Sequence, residues 1–318
     1  MGIFSYAIDC FEECAKLISQ SEPSKSMFAV ILIDALIDMY SHQYSRRKCS
    51  EIQRTLDIRK TICSDNSDFQ NKLAKAKDSC NKFDYRFEWL AENAVISSEE
   101  ANSIKMLHEY RNKYLHRLKE EEADCIAFAK LYFYLFEQLF IAIPINCISG
   151  ADFEEPLIKK LTQKESFDWF KADFRKEIVN TINLQYNLCF SKDDFLNILK
   201  DFLSKQYDDI IYSLHFIIDA AVDKSGAISI VEKECRAGKV IIEYFGDPDD
   251  PQFSCTTTKC QNYLGKIRNL LNCSNENEGL LKFTQLYESL EKFSSLIHEK
   301  AIEIDAYIQY QVDLMRGK

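Results

Sequence analysis

The chain has 318 residues, enough for two domains of ordinary size, and is 46% hydrophobic and 28% charged with 8 Gly and 5 Pro. That balance excludes disordered, collagen-like and sandwich classes and favours helices. The formal net charge of -10 speaks against a simple nucleic-acid binder, but it is uneven: residues 1–145 hold 19 Lys+Arg against 22 Asp+Glu, the remainder 21 against 28.

A first helix is expected over 3–20, with SEPSK at 21–25 breaking it. The segment MGIFSYAIDCFEECAKL carries acids inside its apolar stretch, unlike a secretory signal, so a cytoplasmic protein is expected. Residues 24–44 read as an almost wholly apolar helix, buried on most sides. Asp34 and Asp38 interrupt it at i, i+4, with His42 one turn further. Carboxylates in such a helix are costly unless they meet a cation. A basic stretch follows at 46–60, then a loop, CSDNSD, at 63–68. The third helix runs to about 92. Residues 97–140 read as one long helix, with Ser97 or Ser98 as cap and Glu99 and Glu100 in the first turn. Residues 131–148 approach membrane-span length, but Glu137, Gln138, Pro144 and Asn146 favour a buried core helix and no membrane partner.

The segment PINCISGADFEEP at 144–156 is the expected boundary, giving domains 1–148 and 149–318. Residues 157–223 read as several amphipathic helices, with Ser191 as a cap, Asp194 in the first turn and His215 among core residues. Residues 227–245 contain two β-branched runs that fit either a small β-hairpin or continued helix. Helices over 255–272 and 279–314 close the chain. The last carries a stripe of Leu280, Phe283, Leu286, Leu290, Phe293, Ile297, Ile304 and Ile308, expected to pack internally, with a dimer interface as the alternative. The fold class is therefore all-α.

The chemistry-bearing stretch is Arg111-Asn112-Lys113-Tyr114-Leu115-His116. It places a permanent cation, a carboxamide and an imidazole within one and a half helical turns, groups that suit phosphodiester chemistry. Arg-Asn-x-x-x-His has a chance expectation of roughly 0.01 in this chain. Arg111 falls on the apolar stripe of Ile104, Leu107, Leu115 and Leu118, so it must be paired or line a cleft. Asp34 and Asp38 are the expected partners. The competing reading is a structural ion pair between two core helices.

Three stretches resemble one known family: FAVILIDALIDMYSHQ, with its embedded acids, FDYRFEWLAEN, and EYRNKYLH after the linker AVISSEE. Together they are similar to the HEPN domain, an all-helical module of prokaryotic defence and toxin ribonucleases. The resemblance covers about residues 1–145. It implies an antiparallel helical bundle, followed here by a second mainly helical domain. It also implies that Arg111, Asn112 and His116 form the catalytic motif, with Asp34 and Asp38 supporting. The implied activity is a metal-independent endoribonuclease acting in anti-phage defence or growth arrest, with no cofactor. The alternative is a non-catalytic scaffold or a nucleotide- or protein-binding module.

RNA is the expected partner, and Lys105, Lys113, Arg117, Lys119, Arg46, Arg47 and Lys48 are the expected phosphate contacts. The alternative is that these charges line ordinary solvated helix faces. One motif supplies one imidazole whereas general acid and base are both needed, so a homodimer is expected. Residues 149–318 are expected to regulate, through a partner protein or a phage trigger, or to widen the dimer interface. The 12 Cys are irregularly spaced, which favours free thiols over a disulfide framework and gives no metal site.

Overall fold

The computed structural model describes residues 3–61, 66–117, 124–143, 174–221 and 257–316. All regular elements among them are helices, so the chain is all-α. Two compact units divide between Phe195 and Leu196. The expected boundary at 144–156 and the hairpin-or-helix segment at 227–245 lie outside the described residues.

The first unit contains α1 (Ile3–Ser19), α2 (Pro23–Lys60), α3 (Ser67–Asn81), α4 (Phe83–Glu92), α5 (Ser98–Arg117), α6 (Asp124–Ala142) and α7 (Phe174–Tyr186). Pro23 opens α2, where its missing N–H costs nothing. The apolar helix and the basic stretch are one continuous 38-residue helix. It is not buried on most sides as expected: Phe28 is 66% and Ile31 40% exposed, on the stripe that continues to Asp38. The segment read as a third helix is two, because the backbone at Lys82 is extended. A capping box starts α5: the Glu100 amide donates to Ser97 Oγ at 3.1 Å, and the Ser97 amide donates to Glu100 Oε2 at 2.7 Å.

The expected single helix over 97–140 is also two. Tyr110 and Phe128 lie 5.0 Å apart, ring centre to ring centre. In one straight helix, eighteen residues would separate them by about 27 Å. The chain must therefore reverse between α5 and α6. Apolar periodicity alone could not reveal this, since the sequence between the two helices holds no Gly or Pro.

The core lies where α1, α2 and α6 meet. Phe11 sits 4.7 Å from Phe133 and 5.2 Å from Phe136, while Tyr40 stacks on Phe140 at 5.4 Å. The helix Cys125–Ala142 is long and apolar enough to cross a membrane by length and composition, and 61% of it is buried within the protein. On its far side, α7 is tied down by Arg175, which donates to the carbonyls of Phe140 and Ile143. Tyr186 adds a bond to Glu12 at 3.1 Å.

The second unit is built from α8 (Lys192–Ala221, which begins in the first unit), α9 (Thr257–Arg268), a 3-10 turn (Asn269–Asn272) and α10 (Glu276–Met315). Ser191 and Asp194 cap α8 reciprocally, as the sequence predicts. Leu280, Phe283, Leu286, Leu290, Phe293 and Ile297 are buried, so this part of the stripe packs internally. Phe202 meets Phe283 at 5.6 Å, and Tyr263 stacks on Phe293 at 5.9 Å. The side chains of His215, Ile304 and Ile308 lie outside the described residues.

Glu137 is the exception inside the first core. It is 5% exposed, and its Oε1 has no hydrogen-bonding partner. Burial pushes its carboxyl up to about 8, opposed only by the Asn183 side chain from α7. The folded state therefore holds a proton that the unfolded chain releases near pH 4.3. Stability should be full below that value. It should fall by roughly 1.4 kcal/mol per pH unit until about pH 8. Urea melts of wild type and Glu137→Gln across that range test this: the variant should lack the slope and be the more stable of the two at pH 8.

Candidate functional site

The site is organised by a buried carboxylate. Asp34 lies on the inner face of α2, in line with Val30 and Ile37, and is 4% exposed. Three groups converge on it. Arg111 from α5 forms an ion pair with Oδ2. His108, one turn earlier on the same helix, places Nδ1 2.8 Å from Oδ1. Tyr132, fully buried on α6, donates its hydroxyl to Oδ1 at 2.5 Å. The i, i+3 spacing of His108 and Arg111 puts both on one helix face, so one acid can hold both.

Burial pushes the Asp34 carboxyl up, but this is outweighed. Hydrogen bonds from His108 and Tyr132, the charge of His108, and the Arg111 hydrogen bond together leave it below its ordinary value. The same contacts act in reverse on Tyr132. Burial, and then the charge of and hydrogen bond to Asp34, push its hydroxyl well above the usual range. At neutral pH the centre therefore contains a carboxylate, a guanidinium and a phenol that keeps its proton. The His108 ring is covered on one face by Phe83, stacked at 4.0 Å, while its side chain remains 23% exposed. Arg111 is 22% exposed. Both ends of the pair thus reach from the core to the surface.

Asp38, one turn along α2, does not meet Arg111. Its partner is Arg86 of α4, which also donates to the Ser79 carbonyl at 3.2 Å and the Asp38 carbonyl at 3.3 Å. Arg86 is buried whereas the Asp38 side chain is 54% exposed. His42 follows one turn later. Burial, then the positive charge of Arg86, hold its imidazole below the ordinary value, against the pull of Asp38.

Of the expected site residues, Arg111 and Asp34 are brought together, and Asn112 is half-buried beside them in sequence. The backbone of residue 116 belongs to α5, but the side chains of His116, Lys113 and Arg117 lie outside the described residues, as does Lys119 altogether. Lys105 pairs with Glu88 at 3.1 Å. Arg47 and Lys48 share Glu51 at 3.1 and 2.7 Å, which neutralises part of the basic stretch, while Arg46 is exposed. Sequence reasoning missed His108, Tyr132 and Arg86. His108 was findable, because it precedes Arg111 by three residues. Arg86 interrupts an apolar helix just as Arg111 does. Tyr132 sits among aromatic residues with no mark of a polar role.

Among the described residues, no group of three His, Cys, Asp or Glu side chains is arranged to hold a metal ion. The chemistry open to the assembled groups is proton transfer by an imidazole and stabilisation of an anion by a guanidinium.

Removing the carboxylate should expose the cost of the centre. Asp34→Asn leaves Arg111 without its anion, and breaking such a pair costs about 3–5 kcal/mol. Because the folded carboxyl lies below its unfolded value, its contribution is present above about pH 4 and disappears as pH falls through the folded pKa. Denaturant melts at pH 7 should show the loss. As pH falls below about 4 the gap between wild type and variant should narrow; a constant gap across all pH values would contradict the ion-pair account.

Comparison with protein-family models, with curated proteins and with solved structures finds no match for this chain, so its function is argued from this geometry.

Proposed function

We propose that this protein is an endoribonuclease of the metal-independent, HEPN-like type, cutting RNA to leave a 2',3'-cyclic phosphate and a 5'-hydroxyl. The observation that carries the reading is the Asp34–His108–Arg111 cluster: an accessible imidazole oriented by a buried carboxylate, with a guanidinium one turn away.

The ribose 2'-OH supplies the nucleophile, so the protein needs to move protons and stabilise charge. With Nδ1 held at Asp34, the other ring nitrogen of His108 is free to take the 2'-OH proton. The 2'-oxygen attacks the adjacent phosphorus, and Arg111 stabilises the extra negative charge of the phosphorane. A second proton carrier gives its proton to the departing 5'-oxygen. His116 is assigned that role. Residues eight apart on a helix are separated by about 12 Å along the axis, more than one phosphate spans. The second imidazole therefore comes from the α5 helix of a second copy, which makes the working species a homodimer. Asn112 orients a phosphate oxygen, and exposed Arg46 holds the flanking backbone. A role in defence or growth arrest follows from the same reading. The second unit then restrains the nuclease or senses a partner protein or phage component.

One observation favours the non-catalytic alternative. Tyr132 is fully buried against Asp34, and Phe83 covers one face of His108, as they would in a network that only knits four helices together. The two readings differ in solution. Purified full-length protein should cleave total RNA in EDTA, and its fragments should accept phosphate from a kinase at the 5' end. His108→Ala, His116→Ala and Arg111→Ala should each slow cleavage by about 100-fold or more. If the wild type leaves RNA intact while the His108 and Arg111 variants lose thermal stability, the network is structural. Undiminished cleavage by both histidine variants would discard this mechanism.

A further inference from the structure

Cys49 and Cys80 face each other across the α2–α3 hairpin. The antiparallel register follows from an independent contact. The Arg59 guanidinium lies 4.4 Å from the Phe69 ring centre. Ten residues back along α2 and eleven forward along α3 bring Cys49 opposite Cys80. Both cysteines also continue the facing stripes. On α2, Ser45 and Leu56 are buried at the spacing that includes Cys49; on α3, Leu73 and Ala76 are buried at the spacing that ends on Cys80.

The residues between the helices at this end are small. Ser45, Ala76 and Ser79 are all fully buried, which lets the backbones approach closely. Helix axes about 8–10 Å apart, with Cα atoms about 2.3 Å off each axis, leave facing Cα atoms about 4–5 Å apart. That approaches the range of about 4.4–6.8 Å that a disulfide spans. Both thiols are free and half-buried, so a small oxidant can reach them.

We propose that Cys49 and Cys80 are a redox modification site: a hydroperoxide oxidises the pair to a disulfide that staples α2 to α3. One thiolate attacks the peroxide oxygen, hydroxide leaves and takes up a proton, and a sulfenic acid remains. The neighbouring thiol, losing its proton, attacks that sulfur, and the hydroxyl leaves as water. Two thiols and one hydrogen peroxide thus give one disulfide and two waters. In a reducing compartment the pair rests as thiols, so the bond reports oxidation rather than serving as a constant staple.

Burial, followed by the charge of Cys49 and a hydrogen bond with it, pushes the Cys80 thiol above its ordinary value, while Arg86 pulls the other way. Oxidation should therefore be slow at pH 7 and faster at pH 9, because the thiolate is the reacting form. The bond would sit beside Ser79, whose carbonyl holds Arg86, and Arg86 holds Asp38 on the site's own helix. The proposal stands whether or not the protein cuts RNA.

The experiment uses reduced full-length protein and a small excess of hydrogen peroxide. Non-reducing peptide mapping should yield one peptide linking Cys49 to Cys80, which dithiothreitol dissolves. The thermal midpoint should rise by roughly 5–10 °C on oxidation. Cys80→Ser and Cys49→Ser should abolish the rise while leaving the reduced protein's midpoint close to that of wild type. Cross-links that join other cysteines, thiols that oxidise without linking, or an equal rise in the serine variants would each overturn the proposal. The wild-type peptide map decides the matter even if a variant folds poorly.

Discussion

The first unit turns on the burial of one carboxylate. Asp34 sits in the apolar face of α2, where an isolated ion is untenable. It is tolerable only because α5 and α6 bring a guanidinium, an imidazole and a phenol to its two oxygens. Those partners come from helices that would otherwise be a single rod. The reversal between α5 and α6 is what allows Arg111 and Tyr132, twenty-one residues apart, to share one acid. Fold and candidate site are thus aspects of the same constraint.

The two acids of α2 show how strongly context outweighs residue type. Asp34 and Asp38 are one turn apart on the same helix and each pairs with an arginine. Yet Asp34 is almost inaccessible, whereas more than half of the Asp38 side chain faces solvent. Water screens Asp38, so the energetic burden there falls on buried Arg86, which meets it with backbone carbonyls as well as the carboxylate. At Asp34 the carboxylate itself is the buried partner and must be surrounded. The second pair therefore positions α4, while the first defines the centre.

The all-α class, the first helix, the two cap signals and the internally packed stripe of the last helix were legible in the sequence, because capping chemistry and 3.6-residue periodicity are local. The helix break at Lys82 and the α5–α6 reversal were not, because neither carries Gly or Pro and tertiary contacts set both. The pairing of Arg111 with an acid of α2 followed from the cost of a charge in an apolar stripe. Which acid it would be did not, since two candidates one turn apart are equivalent until α4 claims one. His108 lies outside the motif, since the Arg-Asn-x-x-x-His spacing points to His116.

The position of His108 bears on mechanism. An imidazole is useful in proton transfer when one ring nitrogen is fixed and the other is free, and a carboxylate is a common means of fixing it. His108 meets the first condition directly, through Asp34. It meets the second in part, since Phe83 closes one face while the side chain keeps 23% of its surface exposed. The opening also lets water satisfy the second ring nitrogen, which burial without a partner would make costly. The partial exposure of His108 and Arg111 together, above a carboxylate that is almost fully enclosed, leaves both groups within reach of a molecule in solution.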